Sequence, residues 1–304
     1  MSRLMGKRIA VLMGGASAER EISLRSGQAV FEALSGLGLD VVVVDLSEDT
    51  TLWMRQIQGA RADVAFIALH GTYGEDGCIQ GMLDILHLPY TGSGVAASAV
   101  CMNKRITKCV LDDMGIRTPE DVFIKDGQPL SYPVFVKPVS EGSSVGLHYV
   151  EHKAAWDKLH LDSLDDWLIE SCVVGVEVAV AVVNGQAMPP VEVAPKSGIY
   201  DFASKYTAGA TDYYCPARLS ESQSEQCQRI AEQAVTAVGC AGAPRVDLIV
   251  PDAGEPVVLE INTIPGMTAT SLLPKAAAEA GIGFAQLCQM MTEAALATQD
   301  GGRS

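Results

Sequence analysis

Short apolar runs alternate with amphipathic segments over the first third of the chain. Three of the runs, at 7–15, 40–45 and 63–69, have the length of buried strands. Between the first two, apolar residues recur at helical spacing, and Ser17 is placed to cap this helix, which stops at Gly38. The alternation of strands and helices predicts an α/β region with a doubly wound parallel sheet.

Ligands of such sheets bind at the carboxyl ends of the strands. Glu19 follows the first strand closely, and His70 directly follows the third. Glu19 either favours the positive end of the helix dipole or holds the ammonium group of a ligand. His70 is either a satisfied loop histidine or a ligand contact. The pattern alone leaves both questions open.

Two further units follow the first sheet. A helix is predicted from Val95 to Met114, and short apolar runs around the segment SEGSSVG then indicate a small α+β piece. Longer apolar runs flank Asn184-Gly185, which is the strongest hairpin signal in the chain. The pattern therefore predicts three domains, at residues 1–94, 95–174 and 175–304.

The most informative pattern is a pair of alternating runs, RVDLIV and VVLEIN, joined by residues 251–256. A hairpin with this connection pairs Leu248 with Leu259 and Asp247 with Glu260. Leu248 and Leu259 then lie on the apolar face with the other aliphatic residues of the two strands. The polar residues lie on the opposite face.

That polar face carries Arg245, Asp247, Glu260 and Asn262. Two carboxylates that face each other repel unless a cation lies between them. Carboxylate and amide oxygens suit Mg²⁺, which takes one or two carboxylates and completes its shell with substrate phosphates. An ordinary hairpin with a solvated polar face is the alternative.

The segment SEGSSVG is a candidate for gripping phosphate. Glycines and serines between two strands leave backbone N–H groups free to point at phosphate oxygens, and Lys137 just before them adds a positive charge. The segment is neither a Walker A motif nor a G-x-G-x-x-G motif, and a simple connector is the alternative. Lys104 and Lys205 are further candidate cations, or ordinary surface lysines.

Composition and charge narrow the function classes. The 304 residues are 48% hydrophobic, and 22 basic against 37 acidic side chains give a net charge of −15, which argues against a nucleic-acid partner. No apolar run reaches the roughly 20 residues of a membrane span, and no signal peptide precedes the first strand. Eight cysteines without metal spacing indicate reduced thiols. We therefore expect a cytoplasmic protein without a membrane partner.

A series of motifs resembles the D-alanine–D-alanine ligases of the ATP-grasp superfamily along nearly the whole chain. The segments, in order, are GGASAEREISL, ALHGTYGEDG, GMLDILHLPYTGSG, KPVSEGSSVG, SKYTAGATDYYCP, RVDLIV and LEINTIPGMTATSLLP. The resemblance implies an ATP-grasp fold with an N-terminal substrate-binding domain, a small central α+β domain and a C-terminal α+β catalytic domain. It also implies an ADP-forming ligase that makes D-alanyl-D-alanine for peptidoglycan through a D-alanyl phosphate, and a homodimer.

The resemblance further implies a role for each matching residue. ATP would contact Lys104, Lys137, Lys205, Glu170 and Glu177, while two Mg²⁺ ions, or Mn²⁺ instead, would be held by Asp247, Glu260 and Asn262. The catalytic set would be Glu19, Ser143, Tyr206, Arg245 and Gly266, and the other substrate contacts His70, Ser271 and Leu272.

Three alternatives stand beside this interpretation. The first is another ATP-grasp carboxylate ligase, such as a D-alanine–D-lactate ligase, against which Tyr206 argues by resemblance. The second is a nucleotide-binding protein without turnover, against which the intact polar face of 245–262 argues. The third is a dinucleotide-dependent oxidoreductase, which the absence of G-x-G-x-x-G disfavours.

The chain departs from the family pattern at Ala243-Pro244, at ESCVV after Glu170 and in the short segment 118–133.

Overall fold

The computed structural model describes residues 2–142, 145–198, 204, 207 and 209–300. Its N-terminal region is a parallel sheet flanked by helices, as predicted. The elements are β1 Arg8–Gly14, α1 Arg20–Gly36, β2 Asp40–Leu46, α2 Trp53–Ala60, β3 Val64–Ile67 and α3 Cys78–Ile85, with a 3₁₀ turn at Thr50–Leu52. The strand order is β2-β1-β3, so the ends of β1 and β3 are neighbours.

The predicted cap of α1 is wrong. The helix begins at Arg20 with Glu19 as its N-cap residue, and Glu19 makes no side-chain cap hydrogen bond. The Ser17 hydroxyl instead donates to the carbonyl oxygen of His70 over 2.6 Å and accepts from the Glu19 N–H over 3.2 Å. Ser17 therefore joins the ends of β1 and β3, and Glu19 takes the N-cap position of the helix.

The central region holds a small antiparallel sheet in the order β7-β6-β8. Its elements are α4 Val95–Met102, α5 Lys104–Asp113, β4 Ile124–Lys125, β5 Gln128–Pro129, β6 Val134–Pro138, β7 His148–Val150, α6 Lys153–Trp156 and β8 Trp167–Ser171, with a 3₁₀ turn at Leu164–Asp166. The single helix predicted over 95–114 is wrong. Asn103 has extended backbone angles, and its Oδ1 accepts from the Ile106 N–H over 3.1 Å, which starts a second helix.

The C-terminal region is built on an antiparallel sheet in the order β12-β11-β9-β13-β14, with β10 paired to β9. Asn184 and Gly185 both have positive φ in the turn between β9 and β10, which confirms the predicted hairpin. The elements are β9 Val176–Val183, β10 Gln186–Ala187, β11 Val191–Pro195, β12 Thr211–Tyr214, α7 Glu221–Val238, β13 Arg245–Val250, β14 Val257–Asn262, α8 Leu272–Glu279 and α9 Phe284–Asp300.

The register of β13 and β14 is confirmed at its polar end and wrong beyond it. Asp247 lies opposite Glu260, as predicted, but Leu248 lies opposite Val258. Leu259 is therefore the extra residue of a β-bulge, and it lines a cleft instead of lying on the apolar face. Val258 is buried in the core in its place.

One core joins the first and last thirds of the chain. Val11 and Phe66 of the N-terminal sheet belong to the same buried cluster as Ala181 of β9 and Leu287 of α9. The central sheet has a separate core around Val136. The cleft between the central and C-terminal sheets therefore lies between two separately packed cores.

The domain limits at 94 and 174 stay a prediction. Within the described residues, no helix is long and apolar enough to cross a membrane.

Candidate active site

A cleft of about 640 Å³ lies between the central sheet and the C-terminal sheet. Its volume falls in the range of small-molecule sites, roughly 300–1,000 Å³. Most of the charged candidates face it. They are Lys104, Lys137, Glu170, Glu177, Asp247 and Glu260.

Glu170 of β8 is the centre of a buried ion cluster at the central-sheet wall. Its side chain is 2% exposed, and its two oxygens lie 2.8 Å from Lys108 Nζ and 2.6 Å from Lys137 Nζ. Lys108 also donates to the Pro119 carbonyl oxygen over 2.6 Å and to the Asp121 carboxylate. Each buried charge therefore has an opposite charge beside it, which burial of ions requires.

Lys108 is a residue that sequence reasoning missed. Burial by itself lowers the pKa of Lys108, but the charge of Glu170 and the hydrogen bond to Asp121 outweigh it and leave the pKa above its ordinary value. The side chain thus stays protonated. The one sequence signal was its position four residues after Lys104 on α5, which places both lysines on one helix face.

The facing carboxylates of the hairpin each have a cation beside them. Arg245 Nε and Nη2 lie 2.7 Å from the two oxygens of Asp247, and Lys104 Nζ lies 3.8 Å from Glu260 Oε2. The repulsion expected between the two carboxylates is thus offset from both sides. Asn262 Oδ1 accepts from the Ile264 N–H over 2.9 Å, which starts the loop after β14.

The donor set of this hairpin edge fits a hard divalent cation. Asp247 and Glu260 present carboxylate oxygens from directly opposite positions, and Asn262 adds an amide oxygen on the same face. Among the described residues no group of three or more His, Cys, Asp or Glu side chains is placed to hold a metal. The protein therefore offers two carboxylates and an amide, and this is the partial shell that Mg²⁺ completes with phosphate oxygens and water.

A small cavity of about 40 Å³ extends the site toward the N-terminal sheet. Lys104, Glu141 and Glu260 line both spaces, and Glu75 lines the far side. A methyl group on Gly142 would lie 3.7 Å from Glu19 Oε2 and 3.9 Å from Glu75 Oε2. The two carboxylates from the ends of β1 and β3 therefore meet beside the cleft loop. Glu75 is the second residue that sequence reasoning missed.

His70 lies behind Glu75 and is 5% exposed. Its Nδ1 lies 3.3 Å from Glu75 Oε1, and its Nε2 lies 3.2 Å from Ser26 Oγ. The Met267 N–H donates to the same Ser26 oxygen over 3.3 Å, so the serine proton is available for His70 Nε2. This arrangement directs an Nδ1 proton of His70 at Glu75.

The loop after β14 completes the described site. A methyl group on Gly266 would lie 2.8 Å from Ser271 Oγ, so glycine is needed for this close approach. Ser271 Oγ accepts from the Thr268 N–H over 3.1 Å, and Ser271 is the N-cap residue of α8, which starts at Leu272. The free N–H groups of this helix start are suited to an anion such as a carboxylate.

The described candidates thus fall into four adjoining groups: the cleft wall, the hairpin edge, the ends of β1 and β3, and the loop after β14 with the start of α8. Three other candidates, Ser143, Lys205 and Tyr206, lie outside the described residues.

Comparison with known sequences gives consistent results along the chain. The chain matches the family described as D-ala D-ala ligase N-terminus over residues 8–61 and 54–93, and the family described as D-ala D-ala ligase C-terminus over residues 108–293. It is 44% identical over 308 residues to a D-alanine–D-alanine ligase of Anaeromyxobacter sp. strain Fw109-5, covering 97% of this chain and 99% of the relative. It is 46% identical over 294 residues to that of Syntrophotalea carbinolica, covering 94% and 95%.

Solved structures share the whole architecture. A D-alanine–D-alanine ligase from Bacillus anthracis has a TM-score of 0.83 at 34% identity, covering 97% of this chain and 100% of that one. The structure of the same enzyme complexed with ATP has a TM-score of 0.82 at 31% identity and covers the same shares of the two chains. A D-Ala:D-Ser ligase from Enterococcus faecalis has a TM-score of 0.79 at 28% identity, covering 95% of this chain and 99% of that one.

Proposed function

The chain belongs to the D-alanine–D-alanine ligase family, and we propose that its site joins two molecules of D-alanine at the expense of ATP. The product, D-alanyl-D-alanine, is a precursor of peptidoglycan. The observation that carries the proposal is the facing pair Asp247 and Glu260, of which Asp247 lines the large cleft and Glu260 lines both cavities. One cavity has room for a nucleotide, and the other leads to the carboxylates Glu19 and Glu75.

ATP occupies the larger cleft in this proposal. Lys104 and Lys137 neutralise its phosphates, with Lys205 as a third cation. Glu170 faces the adenine and Glu177 the ribose. Both oxygens of Glu170 already accept from lysines, but a carboxylate oxygen has two acceptor sites, so Glu170 can still accept from an amino group.

Asp247, Glu260 and Asn262 are the residues that would hold Mg²⁺, with two ions as the proposed number and Mn²⁺ as an alternative ion. Bound there, the metal supplies charge neutralisation for phosphoryl transfer. Arg245 and Lys104 offset the two carboxylates when they are not bound to metal, which keeps the edge ordered.

The first D-alanine lies at the ends of β1 and β3. Glu19 binds its ammonium group, and His70 orients Glu75 beside it. The carboxylate of this D-alanine attacks the γ-phosphorus of ATP, the bond to ADP breaks, and an acyl phosphate forms. A free carboxylate is a poor acyl donor, so this activation makes the following step feasible.

The second D-alanine attacks the acyl carbon through its amine. Phosphate leaves, the nitrogen loses a proton, and the peptide bond remains. Arg245 and the Gly266 N–H stabilise the tetrahedral oxyanion, to which one donor in a dry site contributes about 2.7–4 kcal/mol. Ser271 and the Leu272 N–H bind the carboxylate of this second substrate. By family resemblance, Ser143 and Tyr206 join Glu19 in excluding water from the intermediate.

A product assay tests the proposal. Purified protein with Mg-ATP and D-alanine should release ADP and phosphate in equal amounts to D-alanyl-D-alanine, which mass spectrometry identifies. L-alanine should give little ADP. Glu260→Gln should lose roughly 100-fold or more of this rate, which exceeds the 10–100-fold typical of an outer-shell change, while its thermal unfolding stays near that of wild type.

Competition with other acceptors decides between the ligase classes. D-alanine is offered together with D-lactate or D-serine, and the mixed products are quantified. A dominant ester or D-alanyl-D-serine product would reassign the second substrate, and ADP release without any condensed product would reject the ligase.

Because ATP is a cytoplasmic metabolite, we also propose a cytoplasmic location, and by family resemblance a homodimer.

A further inference from the structure

Two cysteines that the reaction does not use face each other beside the site. Cys101 lies in the last turn of α4, and Cys240 lies in the connection between α7 and β13. Their sulfur atoms are 3.5 Å apart, although 139 positions separate them in the sequence. Fold contacts, and not chain proximity, therefore bring the two thiols together.

The backbone around Cys240 is held firmly in place. Ser93 Oγ accepts from the Ala241 N–H over 3.1 Å. A methyl group on Gly242 would lie 2.8 Å from the Gly92 Cα, so these two segments are in close backbone contact. The thiol pair is thus a fixed feature of the fold. Hydrogen bonds from Cys101 and Ser93 also keep the pKa of Cys240 below its ordinary value, against the effect of burial.

Cys101 is also reachable from the site. Its own exposure is only 8%, but it lines the small cavity together with Lys104, Glu260 and Asn262. Cys240 is itself partly exposed, so a small neutral oxidant can approach the pair at either sulfur. Exposed cysteines elsewhere, such as Cys109, have no such partner thiol in the described structure.

We propose that Cys101 and Cys240 form a reversible dithiol–disulfide site, and that its oxidation by a peroxide slows the enzyme. The Cys240 sulfur attacks one peroxide oxygen, the O–O bond breaks, and a sulfenic acid and water form. The Cys101 thiol then attacks that sulfur, and a second water leaves. Two thiols lose two electrons and two protons, and hydrogen peroxide is reduced to two waters. Disulfides of this transient, redox-sensing kind are those found in reducing compartments.

Bond formation draws together two segments that lead into site residues. A disulfide has an S–S distance of about 2.05 Å, so the two sulfur atoms must approach each other from 3.5 Å. One sulfur belongs to the helix that ends just before Lys104, and the other to the connection that leads into Arg245 and Asp247. Misplacement of positioning groups by roughly 1 Å can cost about 100-fold in rate.

The experiment uses the full chain, oxidised with stoichiometric hydrogen peroxide and then freed of oxidant. Mass spectrometry should show the loss of two hydrogens, and peptide mapping should find the cross-link between Cys101 and Cys240. Dipeptide synthesis should fall roughly tenfold or more and return after dithiothreitol. The cross-link is scored without any assay of the reaction. Only the rate change rests on the proposed function, so failure of that function would appear as inactive reduced protein.

Matched variants decide the assignment. Cys240→Ser and Cys101→Ser should each keep the rate of the reduced enzyme and each lose the reversible part of the peroxide response. Cys109→Ser, which removes an exposed thiol from α5, should respond as wild type does. The proposal is overturned if the pair stays reduced while exposed thiols react, if the cross-link forms without a change in rate, or if either pair variant is inhibited as strongly and as reversibly as wild type.

Discussion

A buried lysine lies at the end of the cleft where we propose that the nucleotide binds. Lys108 contacts Glu170 from behind while Lys137 contacts it from the cleft, so Lys108 fixes the carboxylate against which Lys137 is held. Lys108 itself does not line the cleft in the described structure. It is therefore a positioning residue, and its effect on ATP should pass through Glu170 and Lys137.

Lys108→Met should raise KM for ATP more than it changes kcat or KM for D-alanine. Hydrogen bonds to charged groups contribute about 1.5–3 kcal/mol, which corresponds to roughly ten- to hundredfold in a binding constant. Steady-state kinetics with each substrate varied separately measures this split. Lys108→Arg should restore part of the ATP affinity. Lys153→Met, which removes an exposed lysine paired with Asp157, is the matched control and should change neither constant. A lower Tm with unchanged KM for ATP would show that Lys108 only supports the fold.

The pair of Glu192 and Arg218 gives a pH-dependent contribution to stability. The side-chain hydrogen bond from Arg218 holds the pKa of Glu192 below its ordinary value of 4.5, although burial acts the other way. A depressed pKa means that the stabilisation is fully present above the unfolded value and is lost as the pH falls through the folded value.

Glu192→Gln should therefore unfold a few degrees below wild type at pH 6–8, and the difference should shrink as the pH falls below about 4.5. Differential scanning fluorimetry over this range measures it. Asp157→Asn, which breaks an exposed pair at the C-terminal end of α6, serves as control and should show almost no difference at any pH. A Tm difference between wild type and Glu192→Gln that is constant with pH would assign the effect to packing alone.

At the scale of elements, the break between α4 and α5 orients Lys104. Asn103 ends one helix and caps the next, and Lys104 is the first residue of the second helix. The Lys104 N–H also donates to the Val139 carbonyl oxygen over 2.9 Å, just after β6. One continuous helix would point this lysine away from that strand end.

Asn103→Ala should lower the free energy of unfolding by about 1 kcal/mol, the usual contribution of an N-cap side chain. It should also raise KM for ATP, because the first turn of α5 carries Lys104. Asn103→Asp keeps an acceptor at the cap and should recover most of the stability. Chemical denaturation and ATP titration are the measurements. Equal stability of Asn103→Ala and wild type would show that the Lys104 backbone bond alone holds the helix start.

Sequence reasoning located the elements better than their junctions. The turn at 251–256 and the pairing of Asp247 with Glu260 followed from alternation, because residue type and strand period agree there. The bulge at Leu259 did not follow, since an aliphatic residue fits either face and only tertiary packing chooses. Lys108 was missed for a related reason. Its partners Asp121 and Glu170 lie 13 and 62 positions further along the chain, and a lysine that they bury has the same sequence signature as an exposed one.

At the scale of the whole molecule, cations gather at the site although the net charge is acidic. The chain carries a net charge of −15, yet Lys104, Lys108, Lys137 and Arg245 gather at the cleft and the hairpin edge. Each of these cations lies beside a carboxylate, so the site is not a positive patch, but the lysines place positive charge within reach of a compact anion such as a nucleotide. The acidic surface as a whole does not attract a nucleic-acid backbone. Composition could predict the second property and not the first, because the cations come from the central and C-terminal regions and meet only in the folded chain.

Ser26 connects the first and last thirds of the molecule. This serine of α1 is fully buried, and its oxygen bonds both His70 and the Met267 N–H in the loop that carries Gly266. It thus ties the proposed binding region of the first D-alanine to that of the second. Ser26→Ala leaves a buried N–H without its partner, at a cost of about 1–3 kcal/mol. We expect a lower Tm together with weaker binding of the second D-alanine, measured from the two-site dependence of rate on D-alanine concentration.

Ser23 is the matched control for this link. It lies one helical turn earlier on α1 and is equally buried, but its hydroxyl bonds the Gly14 N–H over 2.9 Å and the Ala68 carbonyl oxygen over 2.8 Å, both within the N-terminal region. Ser23→Ala should therefore lower Tm by a similar amount and leave the affinity for the second D-alanine unchanged. If both variants weaken the second site equally, loss of stability explains the effect. If only Ser26→Ala weakens that site, the Ser26 hydroxyl couples the two substrate regions. The comparison is decisive because the two serines share a helix and a degree of burial and differ only in which parts of the molecule their hydroxyl groups join.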